Sequence, residues 1–245
     1  MDFIPGYLQG ISRVLVSHPF DYIRLHLQIN KYHSFSHFLK NNKISILYRG
    51  VSIPLIAIPI ERAIQFKIYE NLNNYNLSPF TAGFLVGIIN PLFSLPASNI
   101  CNNYVLNKET NIKKYIINKL KNPLELYNGF KPEILRSVLA SSIYLGSYGK
   151  MRNLYGNDLR QSIINGAVAG ITLWTITYPI ETIKIEQQIN NRKIITILNN
   201  RIYNYGILNL WKGISAVYIR TLPSSIVGMV VYEETKKITD KYNKY

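Results

Sequence analysis

Two stretches of the sequence place an acid and a base three residues apart inside otherwise apolar surroundings. In SHPFDYIRLHLQ, Asp21 precedes Arg24, and in YPIETIKIEQQ, Glu181 precedes Lys184. A lone charge at membrane depth is energetically expensive, so such charges must pair with one another or meet water. Residues of these types are therefore suited to forming and breaking ion pairs inside a membrane. In a soluble helix, an acid and a base at this spacing would form an ordinary ion pair on the surface. That interpretation does not explain the proline at the start of each motif.

The motif occurs three times, and its middle copy is degraded. In the first and third copies the proline, Pro19 or Pro179, is followed nine residues later by a glutamine, Gln28 or Gln188. The prolines of the three copies are 77 and 83 residues apart. The equivalent positions of the middle copy are occupied by Pro96, Ser98, Cys101 and Val105. The middle copy has therefore lost the acid, the base and the glutamine.

Each of the three prolines is preceded by two glycines four residues apart, and the second glycine lies nine residues before the proline. The pairs are Gly6/Gly10, Gly83/Gly87 and Gly166/Gly170. Glycines at this spacing form a groove that lets two membrane helices approach closely. Three pairs at one offset predict close helix contacts in each repeat.

A second motif follows each proline motif and opens with YRG, YNG or WKG. Nineteen residues after its glycine stands a tyrosine, followed by a position for an acid and, three residues later, a position for a base. The glycines are Gly50, Gly129 and Gly213, and the tyrosines are Tyr69, Tyr148 and Tyr232. The acid position holds Glu70, Gly149 and Glu233, and the base position holds Asn73, Arg152 and Lys236.

These motifs predict an all-α membrane protein with six transmembrane helices, since about 20 apolar residues cross a bilayer. The spans are expected near 4–29, 51–71, 80–106, 130–150, 161–189 and 214–237. They divide the chain into three repeats of two helices, 1–78, 79–158 and 159–245. The loops 30–50, 107–128 and 190–213 carry four, five and four bases, with acids only in the second. Basic loops belong on the electrically negative side, so both termini are expected on the other side.

Composition excludes several other classes of protein. The net charge of +15 would suit a protein that binds nucleic acid, but the bases lie in loops between apolar spans and form no basic face. The single cysteine, Cys101, excludes an internal disulfide. His33 and His37 are four residues apart, but they lie in a loop without acid or cysteine ligands nearby, so no metal site is expected. The N-terminus has the features of neither a transit peptide nor a cleavable signal.

The two motifs, three times over, resemble those of the mitochondrial carrier family. The resemblance covers almost the whole chain and is weakest in the second repeat. It implies a six-helix barrel with threefold pseudosymmetry in the mitochondrial inner membrane, which works by alternating access around one central site. It implies no enzyme activity and no cofactor, and it implies function as a monomer. The richness in Asn, Ile, Lys and Tyr suggests an AT-rich genome, such as that of a large DNA virus.

In the family, the charges of the proline motifs close the barrel on the matrix side, and those of the tyrosine motifs close it on the cytosolic side. The resemblance therefore assigns a matrix gate to Pro19, Asp21, Arg24, Gln28, Pro96, Pro179, Glu181, Lys184 and Gln188. It assigns a cytosolic gate to Tyr69, Glu70, Tyr148, Arg152, Tyr232, Glu233 and Lys236. Glu181 is expected to pair with Arg24, and Glu70 with Arg152. The positions on the second repeat that would hold the partners of Asp21 and Lys184 are occupied by Cys101 and Ser98. Whether Asp21 and Lys184 reach each other stays open.

The resemblance places the substrate on the even-numbered spans, seven and eight residues after each loop glycine. With neighbouring positions on the same face, the expected substrate residues are Arg62, Arg136, Ser137, Arg220, Thr221, Tyr144 and Arg13. Each arginine could instead be the structural partner of a neighbouring acid. Converging guanidinium groups bind carboxylate or phosphate, so the expected substrate is an anion.

Two substrate classes fit this pattern. In the family, an arginine followed by a polar residue at the second contact point goes with carboxylates, so the resemblance at Arg136 and Ser137 favours a carboxylate or keto acid, and phosphate is a further alternative. The strong positive charge of the cavity and Tyr144, which could stack a base, favour nucleotides, for which a viral owner would have a clear use. Nucleotides are the preferred expectation. Free N–H groups at the helix starts behind Gly50, Gly129 and Gly213 could bind an anionic lipid such as cardiolipin, although plain helix capping explains them equally well.

Overall fold

The computed structural model describes the backbone of residues 3–73, 77–107, 111–155 and 159–242. Within these ranges it describes the side chains except those of residues 3–6, 62, 66, 69, 70, 73, 79, 80, 143–155, 159–169, 222, 229, 232, 233, 236 and 240–242. Every regular element in the described ranges is helical, and these ranges contain no strand. The expected all-α class is therefore confirmed.

In the described ranges, six long helical segments correspond to the six predicted spans. They are formed by α1 (Phe3–Gln28), α3 (Ser52–Asn73), α4 and α5 (Pro79–Ile89 and Pro91–Leu106), α7 (Phe130–Tyr155), α8 (Leu159–Asn190) and α10 (Ile214–Tyr242). The third span is bent by 48° at the junction of α4 and α5. The three motif prolines lie inside α1, α5 and α8.

The three basic loops contain further short helices, which the sequence analysis did not predict. Each loop holds one α-helix followed by a single 3-10 turn. The α-helices are α2 (Phe35–Asn41), α6 (Ile112–Leu120) and α9 (Ile194–Tyr205), and the 3-10 turns are Ile44–Tyr48, Pro123–Tyr127 and Ile207–Trp211. Ser34 caps α2 and Asn111 caps α6, because each side-chain oxygen accepts a hydrogen bond from a free backbone N–H of the first turn.

The long helices are arranged as a closed ring. Each long helix contacts the next one along the chain. Helix α1 contacts α3, which contacts α4 and α5. Both α4 and α5 contact α7, which contacts α8, and α8 contacts α10. The ring closes because α10 packs extensively against α1. On the side of the proline motifs, α1, α5 and α8 also contact one another, so the ring is narrowed there.

The protein exposes many large apolar side chains and buries several charged ones, which is unusual for a soluble protein. Large apolar side chains are exposed on the outer faces of several long helices, among them Ile56, Phe84, Leu92, Ile176 and Ile226. Charged side chains are buried inside the ring, where Glu133, Glu181 and Lys184 are each less than 5% exposed. Many large apolar side chains exposed in this way are typical of a surface that contacts another apolar phase, such as lipid.

By length and hydropathy alone, one helical stretch in the described part of the chain qualifies as a membrane span, Ile44–Gln65, with a mean hydropathy of 1.4. The bent pair Thr81–Ile89 and Pro91–Leu106 would be a second. Charges within spans lower their mean hydropathy; α1, for example, contains Arg13, Asp21 and Arg24.

The glycine pairs have unequal roles in helix packing. A methyl group on Gly87 would lie 2.5 Å from Cα of Val138, and one on Gly83 would lie 2.7 Å from the carbonyl oxygen of Ser141. This pair therefore brings α4 directly against the backbone of α7, as predicted. Gly10 makes only an ordinary contact with Pro59, and no atom in the described part of the chain lies within 4 Å of the corresponding point at Gly170. Gly6 and Gly166 lie outside the residues whose side-chain surroundings are described.

Candidate functional site

Seven charged side chains form one continuous network inside the ring, at the level of the proline motifs. Three are carboxylates and four are cations, which leaves one net positive charge among them. The members are Asp21 and Arg24 of α1, Glu133 and Arg136 of α7, Glu181 and Lys184 of α8, and Arg220 of α10. Charges of opposite sign alternate along the network, so each of these three carboxylates contacts at least one of the four cations.

The expected pair of Glu181 and Arg24 is present. Nη1 of Arg24 lies 3.5 Å from Oε1 of Glu181, and both side chains are almost fully buried. Glu181 also contacts Nζ of Lys184 at 2.7 Å and Nε of Arg136 at 3.1 Å. This one carboxylate therefore joins α8 to α1 and to α7.

Lys184 does not reach Asp21. Its Nζ lies 3.2 Å from Oε2 of Glu133, whose side chain is 2% exposed. Glu133 is also bound by Arg136 through two nitrogens, at 2.9 Å and 2.5 Å. This two-point contact is the strong geometry for a guanidinium and a carboxylate.

Asp21 has a partner that the sequence analysis assigned to the substrate. Nη1 of Arg220 lies 3.2 Å from Oδ2 of Asp21, and Nε of Arg24 lies 3.5 Å from Oδ1. One carboxylate thus bridges two guanidinium groups. Nε of Arg220 is buried and has no hydrogen-bond partner among the described residues, so this side chain has an unused donor.

An indole ring packs against both guanidinium groups that hold Asp21. The ring of Trp174 on α8 lies 5.8 Å from the guanidinium carbon of Arg24 and 5.4 Å from that of Arg220. Cations over an aromatic face are attracted by its quadrupole. Trp174 therefore stabilises the positions of both arginines, and the proline-motif comparison did not identify it, because it lies five residues before Pro179.

The two motif glutamines brace the network through neutral hydrogen bonds. Nε2 of Gln28 donates to Oγ1 of Thr182 on α8 at 3.1 Å. Gln188 connects α8 to the degraded middle copy on α5, since it donates to Ser98 at 3.3 Å and accepts from Asn102 at 2.9 Å. In this way α5, which carries no charge at its motif positions, is still tied to the network.

The three loop glycines make a cyclic set of contacts. All three have a positive φ, at +80°, +89° and +91° for Gly50, Gly129 and Gly213. A methyl group added to Gly50 would contact α5, and one added to Gly129 would contact Lys184 of α8. A methyl group added to Gly213 would contact both Leu27 of α1 and residues of α8. Each loop glycine therefore packs against the proline-motif helix of the next repeat, and the third packs against that of the first.

The remaining described substrate candidates are tied to other parts of the protein. The hydroxyl of Ser137 is buried and accepts a hydrogen bond from Nδ2 of Asn90, at the bend of the third span. Thr221 donates to the carbonyl of Val217 in its own helix at 2.6 Å. Arg13 lies at the contact of α1 with α10, with its aliphatic stem over Gly228.

Several predicted residues cannot be placed. The substrate candidates Arg62 and Tyr144 have side chains outside the described set. The same is true of every cytosolic-gate residue, namely Tyr69, Glu70, Tyr148, Arg152, Tyr232, Glu233 and Lys236. In the described part of the chain, no group of three or more His, Cys, Asp or Glu residues could hold a metal ion.

The sequence carried a signal for one participant that was left out of the predicted gates. Glu133 lies three residues before Arg136 and four after Gly129, on the face expected to line the cavity. Helical spacing from Gly129 puts it on the same face as Arg136, but this spacing does not say which neighbouring helix a side chain meets, so its contact with Lys184 could not be predicted.

Comparison with known proteins agrees with the motif analysis. A family profile described as mitochondrial carrier protein matches residues 1–80 and 156–243, which is more than half of the chain. The unmatched stretch contains the degraded proline motif. The relatives include a mitochondrial substrate carrier family protein of Dictyostelium discoideum, 26% identical over 97% of this chain and 96% of its own length. A mitochondrial basic amino acids transporter of Bos taurus is 22% identical over 91% of this chain and 87% of its own length. The adenine nucleotide transporter BT1 of Arabidopsis thaliana is 23% identical over 98% of this chain and 70% of its own length.

Proposed function

The chain belongs to the mitochondrial carrier family, and on this premise we propose that it exchanges a small anionic metabolite by alternating access. Members of the family are transporters and multi-pass proteins of the mitochondrial inner membrane. The observation that supports an anionic substrate is the buried network, which has one net positive charge among its described members. An anion that enters the ring would be attracted to this excess charge.

The groups proposed to bind the anion are Arg136 and Arg220, on α7 and α10. Both lie in the second turn of their helices, and both side chains are less than 20% exposed at the level where the ring narrows. Arg220 has a buried Nε without a hydrogen-bond partner among the described residues, which a phosphate or carboxylate oxygen would satisfy. Guanidinium groups recognise both kinds of anion with two parallel hydrogen bonds.

Nucleotides are the first candidate for the substrate. A nucleotide needs cations for its phosphates and an aromatic surface for its base, and the described site offers Arg220 beside the half-buried indole of Trp174. Stacking of a base on an aromatic side chain contributes about 1–3 kcal/mol. One relative is named as an adenine nucleotide transporter.

A carboxylate substrate is the second candidate, and the charge balance favours it. The four described cations of the network already face three carboxylates, so one excess charge matches one carboxylate better than it matches several phosphates. Another relative is named as a transporter of basic amino acids, which contain a carboxylate.

The proposed architecture is a barrel of three pseudosymmetric repeats, 1–78, 79–158 and 159–245, which functions as a monomer. The cyclic contacts of Gly50, Gly129 and Gly213 support it, because each repeat meets the next in the same way. The basic loops would face the matrix, with both termini in the intermembrane space. The network of charges then acts as the matrix gate, and the residues of the tyrosine motifs act as the cytosolic gate.

Anionic lipid is proposed to bind at the helix starts behind the loop glycines, where α3, α7 and α10 begin. The first backbone N–H groups of a helix have no partner within the helix and favour an anion. Cardiolipin fits this position because its phosphates would reach the N–H groups while its acyl chains remain in the bilayer.

The test is reconstitution of the full chain in liposomes loaded with a panel of nucleotides, carboxylates, amino acids or phosphate. Uptake of the labelled external compound would be measured against each internal compound. We expect nucleotide exchange that is lost in Arg220→Gln and kept in Lys119→Ala, which removes only an exposed loop pair with Glu125. Uptake of carboxylates without nucleotides would replace the first candidate by the second, and no uptake of any compound would refute the proposal.

A further inference from the structure

We propose that Glu133 and Arg220, on two even-numbered spans, supply the two gate charges that the second repeat has lost. The inference rests on the proposed transport function, because only an alternating-access protein needs a gate at this level. It assigns to Glu133 a role in the gate and to Arg220 a role in addition to substrate binding. Three observations support it.

The first observation is the deficit itself. With Ser98 and Cys101 at the acid and base positions of the middle repeat, the three proline motifs have two acids and two bases. Arg24 and Glu181 form an ion pair with each other at 3.5 Å. Asp21 and Lys184 are the two charges whose partners would have stood on α5. Without a replacement, each would keep only the partner three residues away on its own helix, Arg24 for Asp21 and Glu181 for Lys184, and α1 and α8 would lose their charged contacts with the second repeat.

The second observation is the position of Glu133. Its carboxylate lies 3.2 Å from Nζ of Lys184 and is nearly inaccessible to solvent, so it occupies the role that an acid at position 98 would have had. Glu133 lies in the first turn of α7, where the helix dipole favours a negative charge. A carboxylate is therefore stable here even though the site is buried.

The third observation is the pair of Arg220 with Asp21, at 3.2 Å. It places a cation from α10 where a base at position 101 would have acted. Helix α5 itself contributes neutral groups to the network: Ser98 and Asn102 bind Gln188, and the hydroxyl of Ser94 donates to Glu133 at 3.5 Å. The gate is thus closed by charges from α1, α7, α8 and α10, and by hydrogen bonds from α5.

This arrangement changes how the gate opens. Separation of the proline-motif helices must also break the contact of α8 with α7 at Glu133 and that of α1 with α10 at Arg220. An anion that binds Arg220 would compete with Asp21 for the same guanidinium, so substrate binding itself would loosen one bridge of the gate.

Cys101 provides a reporter that does not depend on the substrate. It is the only cysteine of the chain, it stands at the lost base position, and its Sγ lies 3.9 Å from the carbonyl oxygen of Gly50 in a packed environment. Cys101 is partly buried, so it has a basal rate of alkylation, and separation of α5 from its neighbours is expected to raise that rate. The rate of reaction of Cys101 with N-ethylmaleimide in the purified, detergent-solubilised full chain therefore measures gate opening.

The experiment restores the lost acid and asks whether Glu133 is then dispensable. Glu133→Gln is expected to raise the alkylation rate of Cys101 at least threefold, and addition of Ser98→Glu is expected to return it to within twofold of the wild-type rate, because Lys184 regains a partner. Ser98→Ala in the same background must not rescue, and Glu125→Gln, which removes an exposed loop acid, must not change the rate. If Glu133→Gln does not fold, recovery of folded protein by Ser98→Glu but not by Ser98→Ala gives the same answer.

The second arm concerns Arg220. Asp21→Arg and Arg220→Asp are each expected to accelerate alkylation, and the double exchange is expected to slow it again. An unchanged rate in Glu133→Gln, or failure of both the Ser98→Glu rescue and the charge exchange, would overturn the inference. Because alkylation needs no substrate, these outcomes are independent of the liposome panel: a wild-type protein that transports nothing would refute the proposed function, and the alkylation pattern would still decide the pairing.

Discussion

The carboxylate of Asp21 on α1 lies 3.2 Å from Nη1 of Arg220 on α10. The sequence assigned the first residue to a gate and the second to the substrate, and the structure joins them in one ion pair. A gate and a binding site that share a guanidinium cannot act independently. Whatever binds Arg220 must displace or share Asp21.

The first prediction follows from this competition. Asp21→Asn keeps the size of the side chain but removes the charge that competes for Arg220, so an anionic substrate should bind more tightly. We expect the KM of exchange to fall about 3- to 10-fold, which corresponds to about 0.7–1.4 kcal/mol. The measurement is initial uptake in liposomes of the labelled anion that the panel identifies. Asp21→Glu retains the charge and is the control, and a KM that rises in Asp21→Asn would contradict the shared site.

The second prediction concerns the pair of Arg24 and Glu181. Arg24→Ala or Glu181→Ala leaves a buried charge with one partner fewer, and breaking a buried pair costs about 3–5 kcal/mol. Each substitution is expected to abolish exchange in liposomes. Lys119→Ala, which removes a loop pair with a half-exposed acid, is expected to keep it. Full activity in both gate variants would show that this pair does not operate the gate.

The sequence predicted the positions of the six long helices because apolar stretches bounded by motifs repeat at nearly constant spacing. It did not predict the short helices α2, α6 and α9, which are only 7, 9 and 12 residues long and lie in polar loops. Helices of that length depend on tertiary contacts, and a local pattern does not report those. Phe38 of α2, for instance, is buried against Tyr22 of α1.

The partners of the charges were predictable only where the repeats were intact. Arg24 and Glu181 occupy matching positions of complete motifs, and their contact was expected and is present. The partner of Asp21 could not be read from a motif, because the middle copy has a cysteine at the required position. Finding Arg220 requires the rotation of α10 about its own axis and its close approach to α1 at Gly228, and both are properties of the packed ring.

The third prediction concerns Trp174, which lies against Arg24 and Arg220. Trp174→Phe keeps an aromatic face, whereas Trp174→Leu keeps apolar volume without the quadrupole that attracts a cation. A cation–π contact contributes about 0.5–2 kcal/mol, so Trp174→Leu should raise the alkylation rate of Cys101 severalfold above that of Trp174→Phe. Equal rates in the two variants would show that the indole acts only as apolar packing.

The fourth prediction compares two glycines of the paired motifs. Gly87→Ala places a methyl group 2.5 Å from Cα of Val138, so α4 and α7 must separate, whereas Gly170→Ala meets no described atom within 4 Å. Overpacking typically costs about 1–3 kcal/mol. We expect a clear loss of thermal stability in Gly87→Ala and little change in Gly170→Ala. The measurement is the temperature at which the thiol of Cys101 becomes accessible to a fluorogenic maleimide. Equal stability of the two variants would contradict the close contact of α4 with α7.

The fifth prediction separates backbone strain from packing at the loop glycines. Gly213 and Gly206 both have a positive φ, +91° and +79°, so alanine is strained at both positions. At Gly213 the added methyl group would also lie 3.0 Å from the hydroxyl of Tyr178 and 3.2 Å from Cβ of Leu27, whereas Gly206 has open space around it among the described atoms. Gly213→Ala should therefore destabilise the protein more than Gly206→Ala.

The stability of both variants is measured in detergent, with and without added cardiolipin, as the midpoint temperature at which Cys101 becomes accessible to the fluorogenic maleimide. The difference between the two midpoints without lipid reports the contact of the third repeat with the first. If lipid phosphate also binds the helix start behind Gly213, cardiolipin should raise the midpoint of Gly206→Ala as much as that of the wild type and raise that of Gly213→Ala less. An equal rise in all three proteins would place the lipid elsewhere and leave helix capping as the role of this glycine.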